Sequence, residues 1–390
     1  MIKYKELILN RKCVVRLCCL IMFGMTWATR HAEAQWFPES PESLLTSPTL
    51  AAADSNRLSL RTDLCSFFKN NEYFSPVAEG QTYPGVAMTA VLNYQHSNWF
   101  RAEAGAYAVK FSGRKQLINL QPFLSLQYSV LPSFHIIMGN IYGGVNHRLI
   151  KPMYQWERHF VENPESGLQL LWHPERLFAD MWIDWQRYIE RNDPFPEMLT
   201  FGTSVAWQMR SPDEPFRLSL PLQLLIHHKG GQIDISDENM IVMGNMATGL
   251  CSRWDIDSKW LQWAGMDFYF TGYYDRYPDA LRPYSKGWGT YPVLHLNTAP
   301  FTLTTGYWYG EKYFAFQGEP LFNSFNPYEP EQQIPVRNML TVKFSFEKTL
   351  YRYIFIGAYI ETYSDLQRGK TDYNFGIHLR LNRNFSLKQL

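Results

Sequence analysis

The sequence predicts an all-β protein, a transmembrane antiparallel up-and-down β-barrel of about sixteen strands. Three observations predict it. Apolar and polar residues alternate with a period of two in stretch after stretch, which puts each set on its own face of a strand. Hydrophobic residues make up 46% of the 390 residues although mean hydropathy is only −0.30, as expected when half of each strand faces water. Short and long connections take turns between the alternating stretches. Beyond the N-terminal segment no run of apolar residues is long enough for a membrane helix, which needs roughly 18 or more.

The N-terminus reads as an export signal over residues 1–34. Lys3, Lys5, Arg11, Lys12 and Arg16 precede the apolar run Leu17 to Ala28, and Ala32-Glu33-Ala34 is a small-x-small cleavage pattern. Removing it takes away six basic and two acidic residues and turns a net charge of +1 into −3. That argues against a nucleic-acid partner, which would call for a basic patch or stripe. Of five cysteines only Cys65 and Cys251 remain, which is no disulfide framework. Residues 35–56 are rich in Pro, Ser, Glu and Ala without periodicity and are expected to be a disordered periplasmic lead-in.

The barrel is expected over residues 57–390. Its first strand sets Leu58, Leu60 and Leu64 against Arg61, Asp63 and Cys65. Strands follow at Gly85–Tyr94, Phe100–Ala108, Ile118–Gln127, Phe134–Tyr142 and Leu168–Trp172, the last a short one. The series continues through Asp180–Gln186, Leu199–Gln208, Arg217–His227, Met240–Trp254, Trp260–Tyr273, Trp288–Asn297, Phe301–Gly310, Val336–Glu347 and Tyr353–Thr362. The closing strand, Tyr373 to Phe385, alternates most cleanly and must meet the first, because an unbonded sheet edge is not tolerated in a bilayer. Connections such as Leu131–Ser133 and Thr298–Pro300 are periplasmic turns; Gly143–Ser166 and Glu311–Pro335 are long external loops.

On this pattern, over residues 57–390, the chain resembles the porin-like outer-membrane β-barrels of Gram-negative bacteria. The resemblance is architectural; the chain ends Phe385-Ser-Leu-Lys-Gln-Leu390, without the terminal aromatic residue common in such barrels. It implies the cell outer membrane, contact with its lipid and lipopolysaccharide, a homo-oligomer, and a third external loop, here Gly143–Ser166, folded into the pore.

Inward positions carry both signs: Arg61, Arg101, Arg217, Arg337, Lys343 and Arg380 with Asp63, Glu103, Asp180, Asp184 and Glu347. These are candidate pore-lining residues for small polar solutes. In the third loop Arg148, Lys151, Trp156, Glu157, Arg158 and His159 are candidates for a constriction, and the aromatic Glu311–Pro335 loop is a second candidate plug. Residue types and spacings therefore point to a passive or weakly selective channel, without cofactor, metal or covalent chemistry. The alternatives are a non-conducting scaffold or adhesin and, behind both, an outer-membrane hydrolase. His96-Ser97-Asn98 resembles the His-x-Ser-Asn of outer-membrane phospholipases but lacks the spacer and falls in a turn, and no other Ser–His pair can be assembled from sequence.

Overall fold

The computed structural model describes residues 41–47, 49–115, 119–211, 213–256 and 258–389. The expected signal segment lies outside them. The wall is built from β1 (Arg57–Glu72), β2 (Thr82–Gln95), β3 (Phe100–Phe111), β4 (Asn119–Leu131), β5 (Phe134–Asn140), β6 (Ser166–Trp172), β7 (Leu177–Arg187) and β8 (Met198–Gln208). It continues through β9 (Phe216–Lys229), β10 (Ile241–Asp255), β11 (Trp263–Asp275), β12 (Lys286–Asn297) and β13 (Phe301–Glu311). Two short strands, β14 (Phe325–Asn326) and β15 (Glu329–Gln333), pair only with each other inside a loop. The wall resumes with β16 (Val336–Tyr351), β17 (Ile354–Asp365) and β18 (Lys370–Gln389).

Sixteen strands close into one antiparallel barrel, β18 pairing with β1 from Arg57 opposite Gln389 to Glu72 opposite Tyr373. The outer face carries the apolar rows: Leu64, Met88, Leu92, Leu222, Phe268, Leu294, Leu340 and Ile377 are all exposed. Trp99, Trp172, Trp207, Trp254 and Tyr351 ring the short-turn end, and Phe74, Trp185, Tyr274, Trp288 and Tyr373 the long-loop end. An apolar band between two aromatic girdles is the exterior of a membrane barrel. The protein is an outer-membrane β-barrel with its long loops external.

The wall is not of even height. β5 and β6 have seven residues each, between β4 with 13 and β7 with 11. β4 is paired with β3 over Asn119–Tyr128 but meets β5 only from Ser125 downward. Residues 119–124 thus have no partner strand on that side among the described residues, a drop of roughly 20 Å at strand rise. On the far flank β6 pairs with β7 only up to Asp184, while β7 continues to Arg187 against β8. The Leu124 amide faces the low side, where it donates to Asn140 Oδ1 at 2.8 Å. The nitrogen two residues earlier therefore faces the same way, and it belongs to Pro122, which has no hydrogen to leave unpaired.

Candidate functional site

Among the described residues three segments enter the lumen. The first is Pro41–Ser55, expected as a disordered lead-in; instead it forms two 3₁₀ turns, buries Leu44 and hydrogen-bonds the wall. Ser43 Oγ lies 3.0 Å from His378 Nε2, and the Ser43 carbonyl accepts from Arg380. The physical reason is that a lumen this wide is filled by whatever chain can reach it.

The second segment is the loop between β5 and β6, and it crosses the whole lumen. It is tied to β7 by His147–Asp180, to β9 by the Ile150 amide donating to Gln223 Oε1 at 3.0 Å, to β17 by Lys151–Glu361 and to β1 by Glu157–Lys69. Among the expected constriction residues Lys151, Trp156 and Glu157 are buried in this crossing. Arg148 adopts a left-handed conformation (φ 57°) and sets its guanidinium 4.3 Å from the Phe178 ring centroid. The third segment, residues 312–335, locks onto the second: the Gln155 amide donates to the Gln317 carbonyl at 2.7 Å, and Tyr313 OH to the Pro152 carbonyl at 3.1 Å.

A cavity of about 610 Å³ remains between the crossing loop and the β1–β4 wall, reaching the low wall at β7. Arg61, Asp63, Glu103, Asp184 and Arg380 of the expected lining set border it, with Arg158 and His159 of the loop. Four of these charges pair with one another, Arg61 with Glu103 across β2 and Arg380 with Asp63 on the adjacent strand, instead of lining opposite walls. Arg61 grips Glu103 through two hydrogen bonds of 2.9 and 3.0 Å, and Arg380 Nε donates to Asp63 at 2.7 Å. The other expected residues face inward away from it. Arg101 bonds Gln127, Asp180 accepts from Gln169, Arg217 pairs with Asp255, and fully buried Arg337 pairs with Asp365 at 3.2 Å. Lys343 sits 5.2 Å from the Tyr359 ring centroid, and Glu347 is on the inward row near the short turns.

Two loop histidines differ sharply. His147 Nδ1 donates to Asp180 at 2.8 Å and Nε2 to Glu165 at 2.7 Å, while the ring stacks on Trp182 at 3.5 Å. Burial opposes its charge, but the two carboxylates outweigh burial and raise its pKa to about 10. With both nitrogens committed it is a fixed cation, unable to take a proton. His159 borders the cavity, and burial followed by the Arg380 charge pushes its pKa down to about 4. It is a neutral imidazole at physiological pH. An added Cβ on Gly144 would come within 3.3 Å of His159 Nδ1 and 3.4 Å of Tyr154 OH, so these two polar groups converge at one spot.

The structure also supplies hydroxyl–histidine pairs that sequence reasoning did not find. Ser129 Oγ is 2.7 Å from His135 Nδ1, whose Nε2 is 2.9 Å from His173 Nε2. Thr304 Oγ1 is 3.1 Å from His295 Nδ1, whose Nε2 is 3.4 Å from Asp267. Each is made by register between adjacent strands, Ser129 lying directly opposite His135. A tight β4–β5 hairpin drawn from sequence would have placed that first pair. Both sit in the short-turn half of the barrel. His96 and Ser97 lie in an exposed turn, where His96 bonds Tyr94 and Ser97 bonds the Trp99 amide.

Residues 50–390 match the family described as lipid A 3'-O-deacylase-type, and the chain belongs to that family. This overturns the expectation of a non-enzymatic barrel: the family points to an enzyme. No curated protein matches the sequence significantly. Among solved structures it is similar to OccD3 (OpdP) of Pseudomonas aeruginosa, with 7% identity, TM-score 0.49, and 90% of this chain and 99% of that chain covered. It is similar to OprD of the same organism, with 9% identity, TM-score 0.48, and 91% and 96% covered. OmpT of Vibrio cholerae in its trimer form follows with 8% identity, TM-score 0.47, and 84% and 99% covered. Likenesses of this order carry neither a solute nor an oligomeric state.

Proposed function

We propose, on the premise that the chain belongs to the lipid A 3'-O-deacylase-type family, that it hydrolyses the acyl ester at the 3' oxygen of lipid A. The observation that carries this reading is the extent of the family match, which takes in every strand of the barrel and both luminal loops. Ester hydrolysis needs a nucleophile, a base in the right protonation state and a donor for the developing oxyanion. At the cavity, His159 is the neutral base. It takes a proton from water as the water oxygen attacks the ester carbonyl, then returns it to the departing 3' alkoxide. Tyr154 OH, which converges with His159 beside Gly144, and the neighbouring Arg158 guanidinium are the donors for the carbonyl oxygen.

The test is release of the 3' acyl chain from lipid A in liposomes, read by mass spectrometry. His159→Gln is expected to lower the rate by about 10²-fold or more, the usual contribution of a positioned general base. Ser129→Ala and Thr304→Val are expected to leave it unchanged. Loss in either of those variants, with His159→Gln active, would move the chemistry to the short-turn half. Passage of small polar solutes is a second reading, favoured by the acidic and basic side chains that line the cavity at Arg61, Asp63 and Glu103.

A further inference from the structure

The low stretch of wall and the cavity coincide. Gln121, Phe123 and Ser125 of β4 border the cavity from one flank of the gap, Asp184 and Arg187 of β7 from the other, and Asn140 from its floor. Leu120 and Leu124, on the outer face of the partnerless part of β4, are 65% and 60% exposed, against 51% for Leu222, 47% for Leu294 and 38% for Leu340 on full-height strands. Phe123 is apolar on an inward row whose neighbours are Gln121 and Ser125, and the Arg61 guanidinium lies 5.7 Å from its ring centroid. An apolar surface thus runs from the lipid face, over the free edge, to the rim of a polar cavity. Of the nitrogens that face that edge, those of Leu120, Pro122 and Leu124, the Pro122 nitrogen carries no hydrogen and the Leu124 amide is met by Asn140 Oδ1.

We propose that this gap is a lateral mouth through which the headgroup and ester of an outer-leaflet lipid pass from the membrane into the luminal cavity, the acyl chain staying against the free edge. The identification of that lipid as lipid A rests on the hydrolase reading; the mouth itself does not. The external loops lie at this end of the barrel, so the gap opens toward the outer leaflet. An ester carried between a greasy chain and a polar headgroup would cross the rim at Phe123 with the chain outside and the headgroup among the cavity charges.

The test uses the full chain in liposomes of phosphatidylethanolamine and lipid A, with the photoreactive residue p-benzoylphenylalanine in place of Phe123. Leu294, on the lipid face, is the positive control, and Tyr291, on the inward face of the opposite wall, the negative one. The expected result on irradiation is a mass shift of one lipid at positions 123 and 294 and none at 291. No lipid adduct at 123, with label at 294, would overturn the mouth. Should the Phe123 variant not fold, Gln121 serves as the second position, with the same two outcomes. Acyl release is measured on the same preparations. Adduct at 123 without deacylation keeps the mouth and sinks the hydrolase; deacylation without adduct does the reverse.

Discussion

The low wall at β4–β7 and the full wall at β12–β16 obey the same alternation and put it to opposite uses. On the full wall the inward rows hold Tyr291 and Trp308, which pack against Phe322 of the inserted loop at 5.3 and 5.2 Å and against each other at 6.2 Å. Glycines make the room: a Cβ at Gly289 would fall 2.2 Å from the Trp308 ring, and one at Gly306 2.5 Å from Tyr291. That side is a solid joint of wall and plug. On the low side the inward rows mix Gln121, Asp180 and Asp184 with Phe123, Ile137 and Trp182, the strands stop early, and the space they leave is the cavity. One side anchors the plug so that the other can stay hollow.

The sharpest way to break this comparison is to remove an aromatic from the joint. Trp308 is wholly buried, so Trp308→Ala is expected to cost about 3–5 kcal/mol. Phe123→Ala, at a half-buried ring beside the gap, is expected to cost well under half of that. Both are read as loss of the compact, heat-modifiable form on gels; equal losses would mean the two walls are alike.

The next concerns how the plug is held at its centre. Glu319 is wholly buried, accepts a 3.0 Å hydrogen bond from Tyr73 OH, and is raised to about 7 by burial, then by the Glu157 charge against that of Lys69. A carboxyl raised on folding contributes stability that is fully present below its unfolded value and lost as pH climbs through about 7. The loop from β13 to β16 should therefore loosen from pH 5 to 8, by on the order of 3 kcal/mol. Glu319→Gln should flatten that dependence, as measured by protease nicking of the loop. A wild-type profile that does not change with pH would remove Glu319 from the latch.

The smallest effect is expected in conductance. With two loops and an N-terminal segment in the lumen, planar bilayers should show steps far below those of an open barrel of this size. Deleting residues 144–164 should enlarge them. Large steps in the intact chain would make solute passage the leading function.

Residue order alone determined the barrel: strand number, inward and outward rows, the alternation of short turns and long loops, and the meeting of first and last strands. These follow from a period of two and from the rule that a bilayer tolerates no free edge, both visible within ten residues at a time. Even the lining charges could be placed, since Arg61, Asp63 and Arg380 sit on inward rows whatever lies across from them. What they pair with could not. Lys151 reaching Glu361, Ser43 reaching His378 and Ser129 facing His135 depend on register and on loops crossing the lumen, and those contacts join residues far apart or set by a turn one residue either way. The same holds for the cavity. A short strand at Leu168–Trp172 could be read from its letters, but only closure of the sheet around it turned shortness into a gap, because height is a property of neighbours.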